Sequence, residues 1–509
     1  MLPIFGSRKT LCDGFSRRDL LHVGSASALG LSLAGAFRAE SLAGAEPAGA
    51  NQVAGADGTF GRAKACILIF LFGSPPQHET FDPKPSAPAE IQGEMKAIST
   101  SLPGYQICEG LPRIARIADR LCVVRSMTHP YPVHGVAYAL TGMPTYTPAV
   151  EARPRDPLHR PYLGSIVDYL DAQNPARSGA ADALPRNLGL PWQFGSKSTL
   201  PTLAGPYASF LGSGYDPVWT DYTGAGTIVV PKLTDGQTEE VRDPFGGSTP
   251  DGRFQLASDC RLPGDVTPSR LDARRLLLQQ FNRARAQLEQ TATVRSLDPH
   301  QQRAWSLLTS SRIHTALDIH QESPAVRERY GPTLFGQALL AARRIVEQGG
   351  RFVSVFWDPF GPFGGSVWDT HANHFPRLKN YLLPVFDQSF SALVEDLEQR
   401  GLLDSTAVLC TSEHGRTPQI DSKPKGAARH HWSRAYSSVF AGGGFARGRA
   451  VGRTDPSGGD VADVPVSPKD MQATAFHLLG IDPHTQILDQ QSRPVPIAGD
   501  GRVREELLG

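Results

Sequence analysis

The chain has 509 residues, a formal net charge of +1 at pH 7, 40% hydrophobic residues and 20% charged residues. This near-neutral balance argues against the broad basic surface of a nucleic-acid-binding protein, and no later run has the length of a transmembrane helix. The length suits one large α/β enzyme with insertions, and the 51 Gly and 42 Pro residues predict many loops.

The N-terminus has the pattern of an export signal. Arg17 and Arg18 form a twin-arginine pair ahead of a weakly apolar stretch, and Ala43-Gly44-Ala45 matches a cleavage site. The apolar stretch is too short and too rich in Gly and Ser for a membrane span. We predict a signal peptide at 1–45, a linker at 46–62, and export by the twin-arginine route to the periplasm or the extracellular space. A disordered basic tail or an uncleaved anchor is the alternative.

From residue 63 onwards, apolar runs typical of strands alternate with amphipathic segments typical of helices. Cys66 to Phe72 is continuously apolar, which is the signature of a strand buried on both faces. The alternation predicts an α/β domain at 63–509 whose mostly parallel sheet is sandwiched by helices. Residues 143–265, rich in Pro, Gly and Asp, are predicted as a loop-rich insertion with short elements. The predicted strands are 66–72, 121–127, 351–357, 406–411 and 437–441, and the predicted helices are 111–118, 162–172, 270–291, 301–314, 334–347, 376–400 and 469–479.

Ligand-type side chains cluster in the loops that follow the predicted strands. Glu413 and His414 lie side by side after the strand 406–411, where Gly415 lets the backbone turn. Open α/β sheets carry their chemistry at the carboxyl ends of strands, and a carboxylate beside a His suits a divalent metal of borderline hardness. Taken alone, this pair could be incidental to a surface loop. Eight of the fifteen His residues lie in five such loops, which predicts a metal site built from several loops: His78, His129, His134, His371, His374, His414, His430 and His431.

The order of these motifs resembles the alkaline phosphatase and sulfatase superfamily. The corresponding pieces are Asp369-Thr370-His371, a helix containing Asp387, the stretch from Thr411 to Gly415, His431, and the segment from Asp470 to Gly480. The chain is more closely similar to the exported, sulfatase-like domain-of-unknown-function family 1501. The motifs that carry this resemblance cover nearly the whole predicted domain: Thr80 to Pro85, Leu140 to Gly142, Arg343 to Glu347, Trp368 to His371, Glu413 to Pro418, His431-Trp432, Ala441 to Gly444 and Thr454-Asp455.

The resemblance implies an alkaline-phosphatase-like fold that holds divalent metal ions such as zinc, calcium or manganese. Asp369, His371 and His431 match the side of the superfamily site that binds one metal. His430 competes for the role of His431, which we prefer because it directly precedes Trp432, as in the family pattern. The resemblance therefore predicts that Asp369, His371 and His431 are ligands of one ion.

The same resemblance assigns Glu413 and His414 to a second metal. The superfamily usually has Asp at the position of Glu413, and the longer Glu side chain would move the metal. The superfamily also places an acidic ligand directly after the first strand, where this chain has Gly73-Ser74. The nearest acids are Glu79 and Asp82, and Asp82 is the candidate ligand on that side.

The nucleophile is where the chain departs from the superfamily. The superfamily uses Ser, Thr or a modified Cys upstream of a Thr-Gly pair, here Thr141-Gly142, and no C-x-P-x-R sulfatase signature is present. The nearest hydroxyls are those of Ser126 and Thr128. Thr128 is one candidate, and His134 or water activated by a metal is the other. Arg416 is predicted to clamp the substrate anion through two hydrogen bonds.

Two functions remain open from the sequence. The first is a metal-dependent hydrolase of phosphate or sulfate esters, in which divalent ions polarise the ester oxygens. The second is a non-catalytic exported protein that keeps the metal site and binds anionic glycans or a protein partner. The departure at the nucleophile favours the second function, whereas the retained ligand set favours the first, because several ionisable groups in one cleft are costly to keep for structure alone.

Overall fold

The computed structural model describes residues 58–131, 135–143, 148–156, 158–174, 184–199, 204–234, 237–257, 311–361, 367–423 and 426–509. These residues fall within the unit Asp57–Gly509. The predicted signal peptide at 1–45, most of the linker, the predicted helix at 270–291 and most of the one at 301–314 lie outside the described residues. Within those ranges, no helix combines the length and apolar character needed to cross a bilayer.

Nine strands form a central sheet, in the spatial order β9-β2-β8-β7-β1-β6-β3-β4-β5. Neighbouring strands pair in parallel, except that β8 is antiparallel to β7 and β2, and β5 is antiparallel to β4. The predicted α/β class with a mostly parallel sheet is therefore confirmed. The nine strands are β1 Ala65–Leu71, β2 Leu121–Met127, β3 Asn187–Leu190, β4 Val218–Thr223, β5 Arg253–Leu256, β6 Phe352–Trp357, β7 Thr406–Thr411, β8 Tyr436–Ala441 and β9 Arg449–Val451.

Helices and short ribbons surround this sheet. The α-helices are α1 Ala89–Gln92, α2 Pro112–Arg116, α3 Val136–Thr141, α4 Pro148–Glu151, α5 Leu163–Gln173, α6 Ser311–Leu317, α7 Pro324–Tyr330, α8 Leu334–Glu347, α9 His374–Arg377, α10 Leu383–Gln399 and α11 Pro468–Leu478. A π-turn spans Leu378–Leu382, and 3₁₀ turns span Ala118–Arg120, Ser209–Leu211, Ser213–Tyr215, Ile319–Gln321, Leu403–Ser405 and Glu505–Leu507. The two-stranded ribbons pair Ala97–Ser99 with Gln106–Cys108, Val229–Thr234 with Gln237–Arg242, Gly415–Arg416 with His431–Trp432, Asp421–Lys423 with Gly426–Ala428, Arg453–Thr454 with Val461–Asp463, and Gln486–Leu488 with Pro494–Pro496.

Strand β1 lies at the centre of the sheet between β6 and β7, and all seven of its residues are buried. Successive side chains of a strand point to opposite faces, so both faces of β1 are covered. Strand β6 shows what covers them. Phe352 packs edge-on against Tyr162 at the start of α5, whereas Trp357, on the other face, packs against Phe335 of α8 with ring centroids 4.4 Å apart. Helices therefore cover both faces, as predicted.

Several predicted elements have the bounds that the sequence indicated. Strands 121–127 and 406–411 and helix 334–347 occur as predicted. The long helix predicted at 376–400 is instead divided into α9, a π-turn and α10. Pro384 explains the division, because proline has no N–H to donate and its ring clashes with the carbonyl four residues earlier.

The segment 143–265 contains more strand than the sequence predicts. Helix α5 was predicted at 162–172, but β3, β4 and β5 extend the central sheet beyond β6 in a region predicted as loops. These strands have four to six residues. Strand β3 is only four residues long and pairs with β6, which is distant in the sequence. So short a segment shows no hydrophobic periodicity from which a strand could be predicted.

Candidate metal centre

The loops after β1, β6 and β7 meet at one edge of the sheet. These strands are neighbours and parallel, so their carboxyl ends coincide. The Gly73 N–H donates a 2.7 Å hydrogen bond to Glu413 Oε1. Gly73 has φ +90°, and a Cβ at this position would lie 2.3 Å from the Asp369 backbone nitrogen. Glycine thus lets the three loops approach closely.

Three potential ligand atoms converge at this edge and form a nearly equilateral triangle. Asp369 Oδ1 lies 2.9 Å from His371 Nε2 and 3.1 Å from His431 Nε2. The two Nε2 atoms are 3.0 Å apart. Among the described residues, these three form the one group of three or more His, Cys, Asp or Glu side chains that could hold a metal ion. We call Asp369, His371 and His431 the metal triangle.

The metal triangle is open on its histidine side. The side chain of Asp369 is 13% exposed, that of His431 22% and that of His371 39%. The carboxylate thus faces the protein and the imidazoles face the mouth of the site. A ligand approaching from solvent would meet the histidines first.

Arg416 sets the charge state of the triangle. Burial acts to raise the pKa of Asp369, but the Arg416 guanidinium beside it, together with the neighbouring imidazoles of His371 and His431, holds that pKa well below its ordinary value. Asp369 is therefore ionised throughout the physiological range and can serve as a ligand.

The Arg416 guanidinium is fully buried and is surrounded by acceptors. Its Nε donates to the Ser74 carbonyl at 3.2 Å, its Nη1 donates to the Arg429 carbonyl at 3.2 Å, and its Nη2 donates to the Gly73 carbonyl and to Asp369. A substrate anion would have to displace these partners. The predicted role of Arg416 as a substrate clamp stays a prediction, and this arrangement does not favour it.

A hairpin running from Gly415 to Trp432 brings Arg416 and His431 together. Arg416 pairs with His431 across the ribbon of Gly415–Arg416 and His431–Trp432. The side-chain amide of Gln77, from the loop after β1, accepts from the Arg416 N–H at 2.9 Å and donates to the Arg416 carbonyl at 2.8 Å. The hairpin is thereby fixed to the first loop.

The predicted second pair, Glu413 and His414, lies beside the triangle and is fully buried. His414 Nδ1 donates to the Gly415 carbonyl at 2.8 Å, because a carbonyl can only accept. Its lone pair is therefore on Nε2, and its ring centroid lies 4.5 Å from that of His431. The structure thus brings five predicted metal ligands to one sheet edge. Asp369 and His371 come from the loop after β6, Glu413 and His414 from the loop after β7, and His431 from the hairpin.

His129 has a structural environment. Its Nε2 donates to the Glu413 carbonyl at 2.6 Å, and its Nδ1 accepts from the Tyr131 N–H at 3.2 Å. The rings of Tyr138 and Tyr436 lie edge-on to it at 5.2 Å and 5.7 Å. Both ring nitrogens are engaged, so His129 holds the strand β7 loop in place.

A second buried cluster supports the triangle from behind. Glu79 and Arg429 form an ion pair at 2.6 Å with both side chains fully buried, and His374 Nε2 lies 3.2 Å from the other Glu79 oxygen. Burial acts to raise the pKa of Glu79, but the attraction of Arg429 and the contacts with His374 and His78 together outweigh it and lower that pKa to about 2. Because Arg429 directly precedes His430 and His431, this ion pair anchors the hairpin strand that carries them.

Asp82, predicted as a ligand, lies among other partners. Its carboxylate contacts Lys84 Nζ at 3.1 Å and Arg125 at 3.8 Å, and it accepts from the Thr454 hydroxyl. It is not a member of the metal triangle. The structure therefore does not bring Asp82 together with Asp369, His371 and His431.

The candidate nucleophiles lie in different surroundings. The buried Ser126 hydroxyl donates to the Val464 carbonyl at 2.6 Å. Thr128 is half-buried and lines a groove of about 620 Å³ together with His129, Tyr138 and Arg434. His134 lies outside the described residues. The roles predicted for Thr128 and His134 stay predictions.

The contacts of two residues near the triangle were not predicted from the sequence. Asp421 carries no motif signal, yet its Oδ2 lies 3.1 Å from His430 Nε2. His430, treated as a competitor of His431, instead contacts the outer nitrogen of His371 at 2.9 Å. The hairpin creates both contacts, and no spacing rule in the sequence would have revealed them.

Comparison with curated protein sequences found no match. The matching solved structures include a protein in the alkaline phosphatase superfamily from Vibrio parahaemolyticus, 12% identical, covering 89% of this chain and 75% of that chain with a TM-score of 0.34. The PsFucS1 sulfatase from Pseudoalteromonas sp. is 11% identical, with 82% and 68% coverage and a TM-score of 0.35. The phosphonate monoester hydrolase SpPMH from Silicibacter pomeroyi is 12% identical, with 87% and 76% coverage and a TM-score of 0.29.

A protein-family model accounts for nearly the whole domain. The model, described as a protein of unknown function (DUF1501), matches residues 63–508. This range begins just before β1, includes the metal triangle and ends at the penultimate residue. The chain belongs to the DUF1501 family.

Proposed function

We propose that this protein is a metal-dependent hydrolase of phosphate or sulfate esters, with one divalent ion held by the metal triangle. The observation that carries the proposal is the convergence of one carboxylate oxygen and two imidazole nitrogens at separations of 2.9, 3.0 and 3.1 Å. The convergence lies at the sheet edge where open α/β folds place their chemistry.

The spacing of the three atoms fits a single ion. Three ligand atoms within about 3 Å of one another could all be held by one ion, since zinc–nitrogen and zinc–oxygen bonds are about 2.0–2.2 Å long. Two imidazoles favour zinc over calcium and manganese, which prefer oxygen ligands. Zinc is therefore the first ion to test, and manganese is the second.

Arg416 replaces part of what a second ion would provide. When bound, the ion would polarise an ester oxygen and stabilise the charge that develops on it. Arg416 supplies a fixed positive charge next to Asp369, enclosed by the Gly73 and Ser74 carbonyls. The chain has Gly73-Ser74 directly after β1, where the superfamily places an acidic ligand, so one ion plus Arg416 is the arrangement that we propose.

We assign the attack to water in this proposal. The Ser126 hydroxyl is buried and donates to a backbone carbonyl, so it would have to break that bond to react. Half-exposed His371 and His431 leave solvent access to the triangle. Thr128→Ala should therefore leave turnover nearly unchanged, and a large loss would indicate the covalent mechanism of the superfamily.

The test combines elemental analysis with ester hydrolysis. Wild type, Asp369→Ala, His371→Ala and His431→Ala are purified, loaded in turn with zinc, manganese or calcium, and assayed on aryl phosphate, phosphonate and sulfate esters. We expect about one metal ion per wild-type chain, and a loss of metal and a fall in turnover of at least about 100-fold in each variant. The exposed residues His484 and Asp404 provide the control variants His484→Ala and Asp404→Ala, which should behave as wild type.

A non-catalytic metal-binding protein is the second candidate. The engagement of Arg416 by protein acceptors favours it, because the most obvious anion-binding cation of the site is already occupied. Wild type that binds metal but hydrolyses none of the esters with any of the three ions would contradict the hydrolase proposal. Binding of anionic glycans or of a protein partner would then be the function to pursue.

We also propose that the protein is exported by the twin-arginine route to the periplasm or the extracellular space. Support comes from the Arg17-Arg18 pair and the Ala43-Gly44-Ala45 motif in the sequence. Replacing both arginines by lysine should keep the precursor in the cytoplasm, as followed by cell fractionation. Normal secretion of the double variant would show that another signal is used.

A further inference from the structure

His371, His430 and Asp421 form a line of successive polar contacts that leads outwards from the metal triangle. His430 Nδ1 lies 2.9 Å from His371 Nδ1, and His430 Nε2 lies 3.1 Å from Asp421 Oδ2. His371 reaches the triangle with its other nitrogen, Nε2. Each imidazole in this line therefore contacts a different polar group with each of its two nitrogens.

The positions of the protons in this line follow from the acceptor at its end. An ionised carboxylate can only accept, so His430 Nε2 carries the proton that it donates to Asp421. A neutral His430 then has its lone pair on Nδ1 and must accept from His371. His371 consequently carries its proton on Nδ1 and presents the lone pair of Nε2 to the triangle.

The reverse hydrogen bond, from His430 Nδ1 to His371 Nδ1, would require a doubly protonated His430. If His371 carried its proton on Nε2, its Nδ1 would have to accept from His430 Nδ1. His430 would then need protons on both nitrogens to satisfy Asp421 as well. A neutral His430 is compatible only with the metal-binding tautomer of His371.

We propose that His430 and Asp421 are positioning residues that hold His371 in the tautomer and ring orientation needed to bind the metal. The inference rests on the metal site of the proposed function, and it assigns a role to two residues outside the triangle. Partners that accept the outer N–H of a metal-binding histidine commonly change metal affinity by about 10–100-fold. Both residues lie at the mouth of the site, with side chains about 40% exposed.

The test measures the zinc and manganese affinity of the full-length protein by competition with a chelator. His430→Ala and Asp421→Asn should weaken binding by about 10–100-fold. His430→Gln should restore most of the affinity, because the amide oxygen can accept from His371 while the amide nitrogen donates to Asp421. His430→Lys should not restore it, because an ammonium group has no lone pair with which to accept.

The controls separate positioning from folding. All variants should keep the thermal unfolding midpoint of the metal-free wild type, and His484→Ala and Asp404→Asn should bind metal as the wild type does. Wild-type affinity in both His430→Ala and Asp421→Asn, or equal affinities for the Gln and Lys variants, would overturn the proposal.

Failure of this inference can be distinguished from failure of the proposed function. Metal binding without ester hydrolysis would contradict the hydrolase, while a drop in affinity in His430→Ala would still support the positioning role. If the wild type binds neither ion, nitrogen-15 NMR of the imidazoles decides, since a metal-free protein with the proton of His371 on Nδ1 supports the role and one with the proton on Nε2 refutes it.

Discussion

The metal triangle and the ion-pair network around Arg343 are both clusters of charged or titratable side chains at sequence motifs, but their charges are balanced differently. Arg343 in α8 is fully buried and contacts three carboxylates, those of Glu322 at 2.9 Å, Glu347 at 2.5 Å and Asp396 at 2.8 Å. No open side is left around this guanidinium. The network connects α8 to α10 and to the turn before α7.

The carboxylates of this network have further cations of their own. Arg344 contacts Glu322 at 2.5 Å, and Arg400 contacts Glu347 at 2.7 Å and Asp396 at 2.8 Å. Three arginines thus meet three carboxylates. The Arg343 to Glu347 motif, which contributed to the family resemblance, is explained by this packing and needs no catalytic role.

The metal triangle has a different arrangement. Two imidazoles and one carboxylate direct ligand atoms towards one point, and the cation that contacts the carboxylate among the described residues is Arg416. The imidazoles are half-exposed. A buried cluster whose charges are all paired with counterions is therefore structural. Converging lone-pair donors with a solvent-exposed side indicate a binding site.

The largest effect that can test this comparison is expected from Arg343→Met. Removing the buried guanidinium leaves Glu322 and Asp396 without their central partner, and breaking a buried ion pair on one side lowers the free energy of unfolding by about 3–5 kcal/mol. Urea unfolding of the metal-free protein measures the loss. Metal affinity of the folded variant should stay that of the wild type.

The matched control is Arg447→Met. Arg447 is 48% exposed and pairs with Glu398 at the surface. Exposed ion pairs contribute up to about 1 kcal/mol, so the control should unfold nearly as the wild type. A loss below about 1 kcal/mol for Arg343→Met as well would contradict the structural role of the network.

A second prediction concerns Asp358, which follows β6 at the same sheet edge as Asp369 but, among the described residues, has no cation that lowers its pKa. Burial raises its pKa to about 7, although it accepts hydrogen bonds from the Gly195 N–H and the Trp192 indole. Between about pH 4 and pH 7 the unfolded chain is ionised at this residue while the folded chain keeps the proton. Stability should therefore fall as pH rises through this window, by about 4 kcal/mol in total.

Asp358→Asn isolates this contribution. The amide cannot ionise, so the free energy of unfolding of the variant, measured at several pH values, should fall less between pH 4 and pH 7 than that of the wild type. Identical pH profiles for the two proteins would show that Asp358 is ionised in the folded state. Burial without a neighbouring cation would then be insufficient to raise a carboxyl pKa at this sheet edge.

The smallest effect is expected at the triangle itself. His371→Ala should change the unfolding free energy of the metal-free protein by less than about 1 kcal/mol, because the imidazole is 39% exposed. The wild type should gain about 3 kcal/mol at a zinc concentration 100-fold above its dissociation constant, and the variant should gain much less. A large loss without metal would make the triangle a structural cluster like the Arg343 network.

Parts of the fold and of the site could be predicted because they depend on local sequence. Strand β1 was visible as a continuous apolar run, since burial on both faces imposes that pattern, and α10 was visible as part of an amphipathic segment with the helical period. The grouping of Asp369, His371 and His431 was predicted from their places after strands and from the family resemblance. Strands β3 to β5 were not predicted, because their pairing is long-range and their segments are short.

The sequence by itself determined the class of fold, the family and the residue types available at the sheet edge, because hydrophobic periodicity and motif order are written along the chain. Tertiary structure alone decided which of those residues meet. It placed Asp82 with Arg125 and Thr454, enclosed Arg416 in backbone carbonyls, and put His430 behind His371. The physical reason is that charge balance depends on through-space distances of a few ångströms between loops far apart in sequence.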